Sequence, residues 1–175
     1  MLVVNSLVAS NAAIAGLGRR YGTPYSGSGS ACGGALYSQD CDTLLAAVRF
    51  IGNSSFAVYL SSGSGGAVFM QGGGLSISDC LFRANQASGG AGLAIGTPMG
   101  ISGGPGLGGA VYIASGLATA TNSTFSDNAA LGGQAPGPGN YPGSGCGGAI
   151  YSAGTAEMLN CTLAGNTARC GQALN

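Results

Sequence analysis

Short apolar pieces recur along this chain, each soon interrupted by Gly, Ser, Thr or Asn. Residues 65–87 read GGAVFMQGGGLSISDCLFRANQA, 108–130 read GGAVYIASGLATATNSTFSDNAA, and 147–168 read GGAIYSAGTAEMLNCTLAGNTA. No stretch sustains a 3.6-residue apolar period, and Gly at such intervals would cripple a helix, so the pattern predicts short strands. Two anchors repeat. Gly-Gly-Ala-aliphatic-aromatic occurs at Gly33–Tyr37, Gly65–Phe69, Gly108–Tyr112 and Gly147–Tyr151. A hydrophobe three residues before an Asn occurs at Val8/Asn11, Phe50/Asn53, Phe82/Asn85, Phe125/Asn128 and Leu163/Asn166.

The spacing of the anchors sets the architecture. From the second Gly to the Asn the separations are 19, 19, 19 and 18 residues; from the Asn to the next second Gly they are 23, 13, 24 and 20. One segment is fixed and the other is free, which is the mark of a rigid turn plus a loop that leaves and returns at one corner. A turn of this size cannot hide its own apolar face, but stacked copies can, at roughly 4.8 Å per turn. The expected fold is therefore all-β: a single parallel β-helix over residues 1–175, with four full turns, partial turns at both ends and variable loops at one corner. The C-terminal CGQALN repeats CGGALY of 32–37 and reads as the start of a further turn. Stacking also assigns the anchors. Asn11, Asn53, Asn85, Asn128 and Asn166 form a structural ladder of amides, because Asn accepts bent backbone and its amides bond in register. Leu36, Val68, Val111 and Ile150 fill the interior with Phe50, Phe82, Phe125 and Leu163. Strand alternation then turns Tyr37, Phe69, Tyr112 and Tyr151 outward as a stacked stripe, a surface for sugar or for lateral packing. The rival arrangement puts these rings in the core or folds the loops over them.

Composition narrows the partners. Gly makes up 36 of 175 residues and charged residues only 6%, with five Arg against five acids and no Lys or His. A chain 45% hydrophobic with no net charge is the opposite of a disordered polyelectrolyte. It has no basic field for nucleic acid or anionic lipid, and no apolar run approaches a membrane span. The start, MLVVNSLVASN, lacks a basic region and is interrupted by Asn5 and Asn11, so it reads as a turn of the repeat and not as a signal peptide.

The paired anchors resemble the FxxN and GGA(I/L/V) repeats of the polymorphic outer-membrane proteins of chlamydiae, over nearly the whole chain. The resemblance implies a right-handed β-helix passenger, exposed at a cell surface and associated with adhesion. The family's C-terminal barrel has no counterpart in these residues.

Candidate chemistry is sparse. GPGLGG at Gly104–Gly109 satisfies G-x-G-x-x-G but precedes a strand, and GISGG at 100–104 places Ser102 in a chain without His to activate it. A polysaccharide lyase or hydrolase would need clustered carboxylates. The acids are Asp40, Asp42, Asp79, Asp127 and Glu157, with only Asp40 and Asp42 close in sequence. An ice-binding surface would need a flat Thr array, and Thr119, Thr121 and Thr124 share one turn. No cofactor or metal is expected. Cys146 and Cys170 occupy equivalent positions in adjacent turns and are expected to be bridged, Cα atoms one turn apart being within disulfide range. Cys80 and Cys161 share the position of Ser123 and read as packed thiols. Sequons at Asn53, Asn122 and Asn160 are candidates for glycosylation. Loops 12–32, 86–107 and 129–146 carry isolated Tyr21, Tyr25, Met99 and Tyr141, and displayed loops commonly bind. The reading is a non-catalytic extracellular or cell-surface scaffold, adhesin or filament subunit; the alternative is a carbohydrate-active enzyme. Its partners are flanking turns or other copies of itself, and carbohydrate or another surface protein. Neither end has a capping element, so a longer solenoid or polymerisation is expected, although an end-to-end join falls four or five residues short of a full turn.

Overall fold

A computed structural model describes residues 1–16, 29–93, 102–137 and 140–173; Tyr21, Tyr25 and Met99 lie outside them. Among the described residues there is no helix, and every strand pair is parallel to its partner one turn away. The chain is a β-solenoid with four sides. The first side stacks Leu2–Val4, Thr43–Ala46, Val68–Ser78, Val111–Thr121 and Thr155–Leu159, joined at its leading half by Leu36–Gln39 and Ile150–Ser152. The second stacks Leu7–Ala9, Arg49–Ile51, Leu81–Arg83, Thr124–Ser126 and Thr162–Ala164. The third stacks Ala12–Ile14, Ser54–Phe56, Gln86–Ser88, Ala129–Leu131 and Thr167–Arg169; the fourth has the two-residue strands Ala31–Cys32, Gly63–Ser64, Gly106–Leu107 and Gly145–Cys146.

The corners explain the polar and Gly residues that cut the apolar pieces. Between the first and second sides, Asn5, Ala47, Asp79, Asn122 and Asn160 all take φ of 46–54°. Between the second and third, Ser10, Gly52, Ala84, Asp127 and Gly165 take 53–64°. A single left-handed residue turns the chain sharply, and Asn, Asp and Gly tolerate that conformation best. Asp79 is thus a turn residue in the column of Asn122 and Asn160, as its spacing implies.

The interior is a stack of like on like. Phe50, Phe82 and Phe125 are fully buried, with ring centroids 4.8 Å apart and planes within 7°, which is the spacing of neighbouring strands. Val68 and Val111 are buried beside them, with Leu36 and Ile150 packed against the same core.

One expectation changes, and one feature is added. The segment after Arg169 does not repeat Gly-Gly-Ala: Ala173 bridges Ala135, and Arg169 pairs with Leu131, so RCGQA lies in register on LGGQA of 131–135. It is the tail of the fourth turn. The bases of the loops, whose lengths vary from turn to turn, form an ordered glycine layer. Gly90 N–H donates to the Ser61 carbonyl, Gly104 to Gly90, Gly133 to Gly104, Gly143 to Gly133 and Gly171 to Gly143, all at 2.8–3.0 Å. Outgoing and returning segments therefore interleave. A Cβ on Gly104, Gly133, Gly143 or Gly171 would overlap the carbonyl oxygen of a neighbouring backbone, so only Gly permits the approach.

Candidate functional site

The Asn column is the most elaborated polar feature of the molecule. Asn53, Asn85 and Asn128 are fully buried, where an unpaired amide would be costly. None is unpaired. Asn85 Oδ1 accepts from both the backbone N–H and the Nδ2 of Asn53, each at 3.0 Å. Asn85 Nδ2 donates to Asn128 Oδ1 at 2.9 Å and to the Phe50 carbonyl at 3.0 Å. Asn53 and Asn128 repeat the pattern towards Asn85 and Asn166 and towards the carbonyls of Val8 and Phe82. Asn11 donates to Asn53 Oδ1 with both its backbone and its side chain. Each interior amide thus makes all four bonds of which it is capable.

The two sequence anchors meet in cross-section. A Cβ on Gly34 would overlap the backbone of Ser54, one on Gly66 that of Gln86, one on Gly109 that of Ala129, and one on Gly148 that of Thr167. In every turn the second Gly of Gly-Gly-Ala lies against the residue that follows the Asn. This contact closes the ring and fixes the separation between the anchors. The last turn is one residue shorter because its bulge is: Ile113 and Leu117 pair with Ser152 and Thr155. The first Gly of each pair has φ of 62–66°, and a Cβ there would overlap the carbonyl three residues on.

Tyr37, Phe69, Tyr112 and Tyr151 do form an outward column, with centroids 5.0–5.4 Å apart. Stacking consumes their faces. Phe69, sandwiched between two rings, is only 7% exposed, whereas Tyr37 at one end is 46% exposed. Burial, reinforced by Tyr151 and Cys32, raises the Tyr112 phenol above its ordinary value. The Tyr37 hydroxyl donates to Gln71 Oε1 at 3.0 Å. The stripe therefore presents ring edges and hydroxyls, not a row of ring faces on which sugars could stack.

All six cysteines are free thiols, and the expected Cys146–Cys170 bridge is absent for a reason of register. Cys146 stacks on Leu107, while Cys170 follows Arg169 in the strand that lies on Leu131. They belong to different sides and not to one column. Cys80 and Cys161 do share the Ser123 column: the Cys80 N–H donates to Ser123 Oγ at 3.0 Å, and the Val48 N–H donates to Cys80 Sγ. Burial pushes the Cys80 and Cys32 thiols up. Cys41 is exposed, and hydrogen bonds from Ser38 and then Thr43 lower its thiol.

Of the three sequons, Asn53 is corrected. Its side chain is buried and fully bonded within the ladder, leaving no room for a glycan. Asn122 and Asn160 are exposed at a corner, one turn apart. The five acids are exposed and spread over separate columns. Asp42 Oδ1 accepts from the Gly74 N–H at 2.9 Å, Asp127 lies 3.8 Å from Arg83, and Glu157 stacks on Thr119. Among the described residues no group of three His, Cys, Asp or Glu is placed to hold a metal.

Fold and site together define a β-solenoid repeat protein whose repeated residues form its own internal bonding. Comparison of the chain with protein-family models, curated proteins and solved structures finds no match. The feature that sequence reasoning missed is the glycine layer, which only stacking explains. A signal for this layer was present, since GQA occurs at both 133–135 and 171–173.

Proposed function

We propose that the chain is a non-catalytic extracellular or cell-surface scaffold, serving in adhesion or as a filament subunit. One observation carries this reading: the residues that recur in every turn are spent on stacking. The Asn amides bond only to the solenoid, the Gly pairs close each ring, and the aromatic column stacks on itself. What varies from turn to turn is the loops and the outer side chains, the arrangement expected of a rigid frame that displays variable surface. The resemblance of the repeats to those of chlamydial surface passengers supports the same reading.

Two measurements test it. Incubation with neutral and acidic polysaccharides should give no new reducing ends or unsaturated products, and turnover of any of them would establish the carbohydrate-active alternative. Antibody raised against the folded chain should label intact source cells or their secreted material. Labelling only after lysis would refute the surface assignment.

A further inference from the structure

We propose that Tyr112 and Tyr151 are a site of oxidative coupling, at which a haem peroxidase with hydrogen peroxide joins the two phenols into a dityrosine that ties adjacent turns together. The pair follows from the register of the first side. Tyr112 lies directly on Tyr151, between the pairs Val111–Ile150 and Ile113–Ser152, and parallel strands in register send equivalent side chains the same way. The rings are 5.4 Å apart centroid to centroid, with 6° between their planes. Both are partly exposed, so the outer ring edges, with the hydroxyls and the reactive ortho carbons beside them, reach solvent. The next rings of the column do not extend the site. Phe69 follows Tyr112 at 5.0 Å and Tyr37 follows Phe69 at 5.1 Å, but Phe69 has no hydroxyl to oxidise and is only 7% exposed. Within the column, Tyr112 and Tyr151 are the one neighbouring pair in which both rings are phenols.

Coupling consumes one hydrogen peroxide per pair. Each phenol gives up one electron and one proton, leaving two neutral radicals whose unpaired electrons are shared between the oxygen and the ortho carbons. One ortho carbon of each ring forms the new carbon–carbon bond. The hydrogens on those two carbons then leave to water as the oxygens regain protons, so both phenols are restored and two ring C–H bonds have been exchanged for one C–C bond. The two electrons and two protons released reduce the peroxide to two waters. Burial, and after it Tyr151 and Cys32, raise the Tyr112 phenol above its ordinary value, so the ring enters the reaction protonated at neutral pH, and the effect of Tyr151 marks how near the two oxygens are. Radicals held on stacked rings meet at an effective concentration that separate chains do not reach. The bond joins residues 39 positions apart, a constraint on the unfolded chain of the kind a disulfide imposes, in a protein whose own cysteines are free thiols. Use of that bond to harden a surface frame rests on the scaffold reading, whereas the coupling itself does not.

Haem peroxidase and hydrogen peroxide supplied to the folded chain, its exposed thiols alkylated beforehand, test the site. Dityrosine fluorescence and mass-spectrometric mapping of elastase peptides are the readouts. The expected product joins the peptides bearing Tyr112 and Tyr151 within one chain, with the loss of two hydrogens and in a yield independent of chain concentration. Tyr112→Phe and Tyr151→Phe should each abolish it and keep the wild-type circular dichroism spectrum, because Phe69 already fills an equivalent place in the column. Tyr141→Phe, at a ring 78% exposed and outside the column, should leave the yield unchanged. Phe69→Tyr should add a second joined pair, between residue 69 and Tyr37 or Tyr112. The wild-type map decides the matter even if a variant fails to fold. A principal product that joins separate chains through Tyr141, that links Tyr112 to Cys32, or that forms equally well in the urea-unfolded chain overturns the proposal. So does a folded chain without joined peptides in a mixture where free tyrosine couples. None of these results bears on polysaccharide turnover or surface labelling, which judge the scaffold reading separately.

Discussion

Replacing Asn85 by Ala should remove the centre of the amide ladder. The side chain makes four hydrogen bonds, and its loss strands the backbone N–H of Asn53, one carboxamide hydrogen of Asn53 and the carbonyl of Phe50. Each buried orphan costs about 1–3 kcal/mol. A water admitted to the vacated polar space would recover part of this, so we expect a loss of about 3–6 kcal/mol, a large share of a domain's usual stability of about 5–15 kcal/mol. Asn122→Ala, at an exposed left-handed corner, is the control and should cost about 1–2 kcal/mol. Asn85→Asp adds a signature. Its carboxylate keeps both acceptor bonds from Asn53 but faces the Phe50 carbonyl and Asn128 Oδ1, so its folded pKa rises above the ordinary value of about 3.9. A raised acid is stabilising below its unfolded pKa, and that contribution is lost as pH rises through the folded pKa. The Asp variant should therefore approach wild-type stability on acidification, while the deficit of the Ala variant should stay flat. Urea unfolding followed by circular dichroism at several pH values reads both. An Ala variant within about 1 kcal/mol of wild type, or an Asp deficit independent of pH, would refute the ladder as a source of stability.

Gly109→Ala should prevent folding, because the added carbon overlaps the Gly148 carbonyl and the Ala129 backbone; Gly52→Ala meets nothing within 4 Å and should cost only about 1–2 kcal/mol for its positive φ, as thermal melts will show. Ser55→Ala should stabilise by about 1 kcal/mol, since that buried hydroxyl has no hydrogen-bond partner and stacks on Ala13 and Ala87; a loss on denaturation would contradict it. Among the thiols, Cys41 should alkylate fastest and at a pH below that of an ordinary thiol, and Ser38→Ala should move its profile upward. Cys80, buried and raised, should react only as the protein unfolds. Mass-spectrometric mapping of pulse-alkylated protein reads both thiols.

Much of the solenoid is legible because one pair of anchors recurs with a fixed separation. Phe50, Phe82 and Phe125 are found in one column, as are the Asn residues three positions later. The misreadings arise where a residue's neighbours come from another turn. CGQALN imitates Gly-Gly-Ala, but backbone pairing places RCGQA of 169–173 on LGGQA of 131–135, and the proposed disulfide followed from the wrong register. The loop-base glycines look idle in sequence because their reason, a carbonyl from the adjacent segment, is supplied only on stacking. Asn53 belongs to a sequon and to the ladder at once, and only its burial decides between them. The aromatic stripe was legible as a column, yet stacking, which uses up the ring faces, also weakens its case as a sugar platform.

The register of the core is the claim on which the rest depends, and nuclear Overhauser contacts between selectively labelled Phe rings test it most directly. Phe50 and Phe82, and Phe82 and Phe125, lie 4.8 Å apart centroid to centroid. Strong ring-to-ring contacts are expected within each of these pairs, and none between Phe50 and Phe125, two turns apart. Contacts between Phe50 and Phe125, or the absence of contacts from Phe82 to both of the others, would contradict the stacked solenoid.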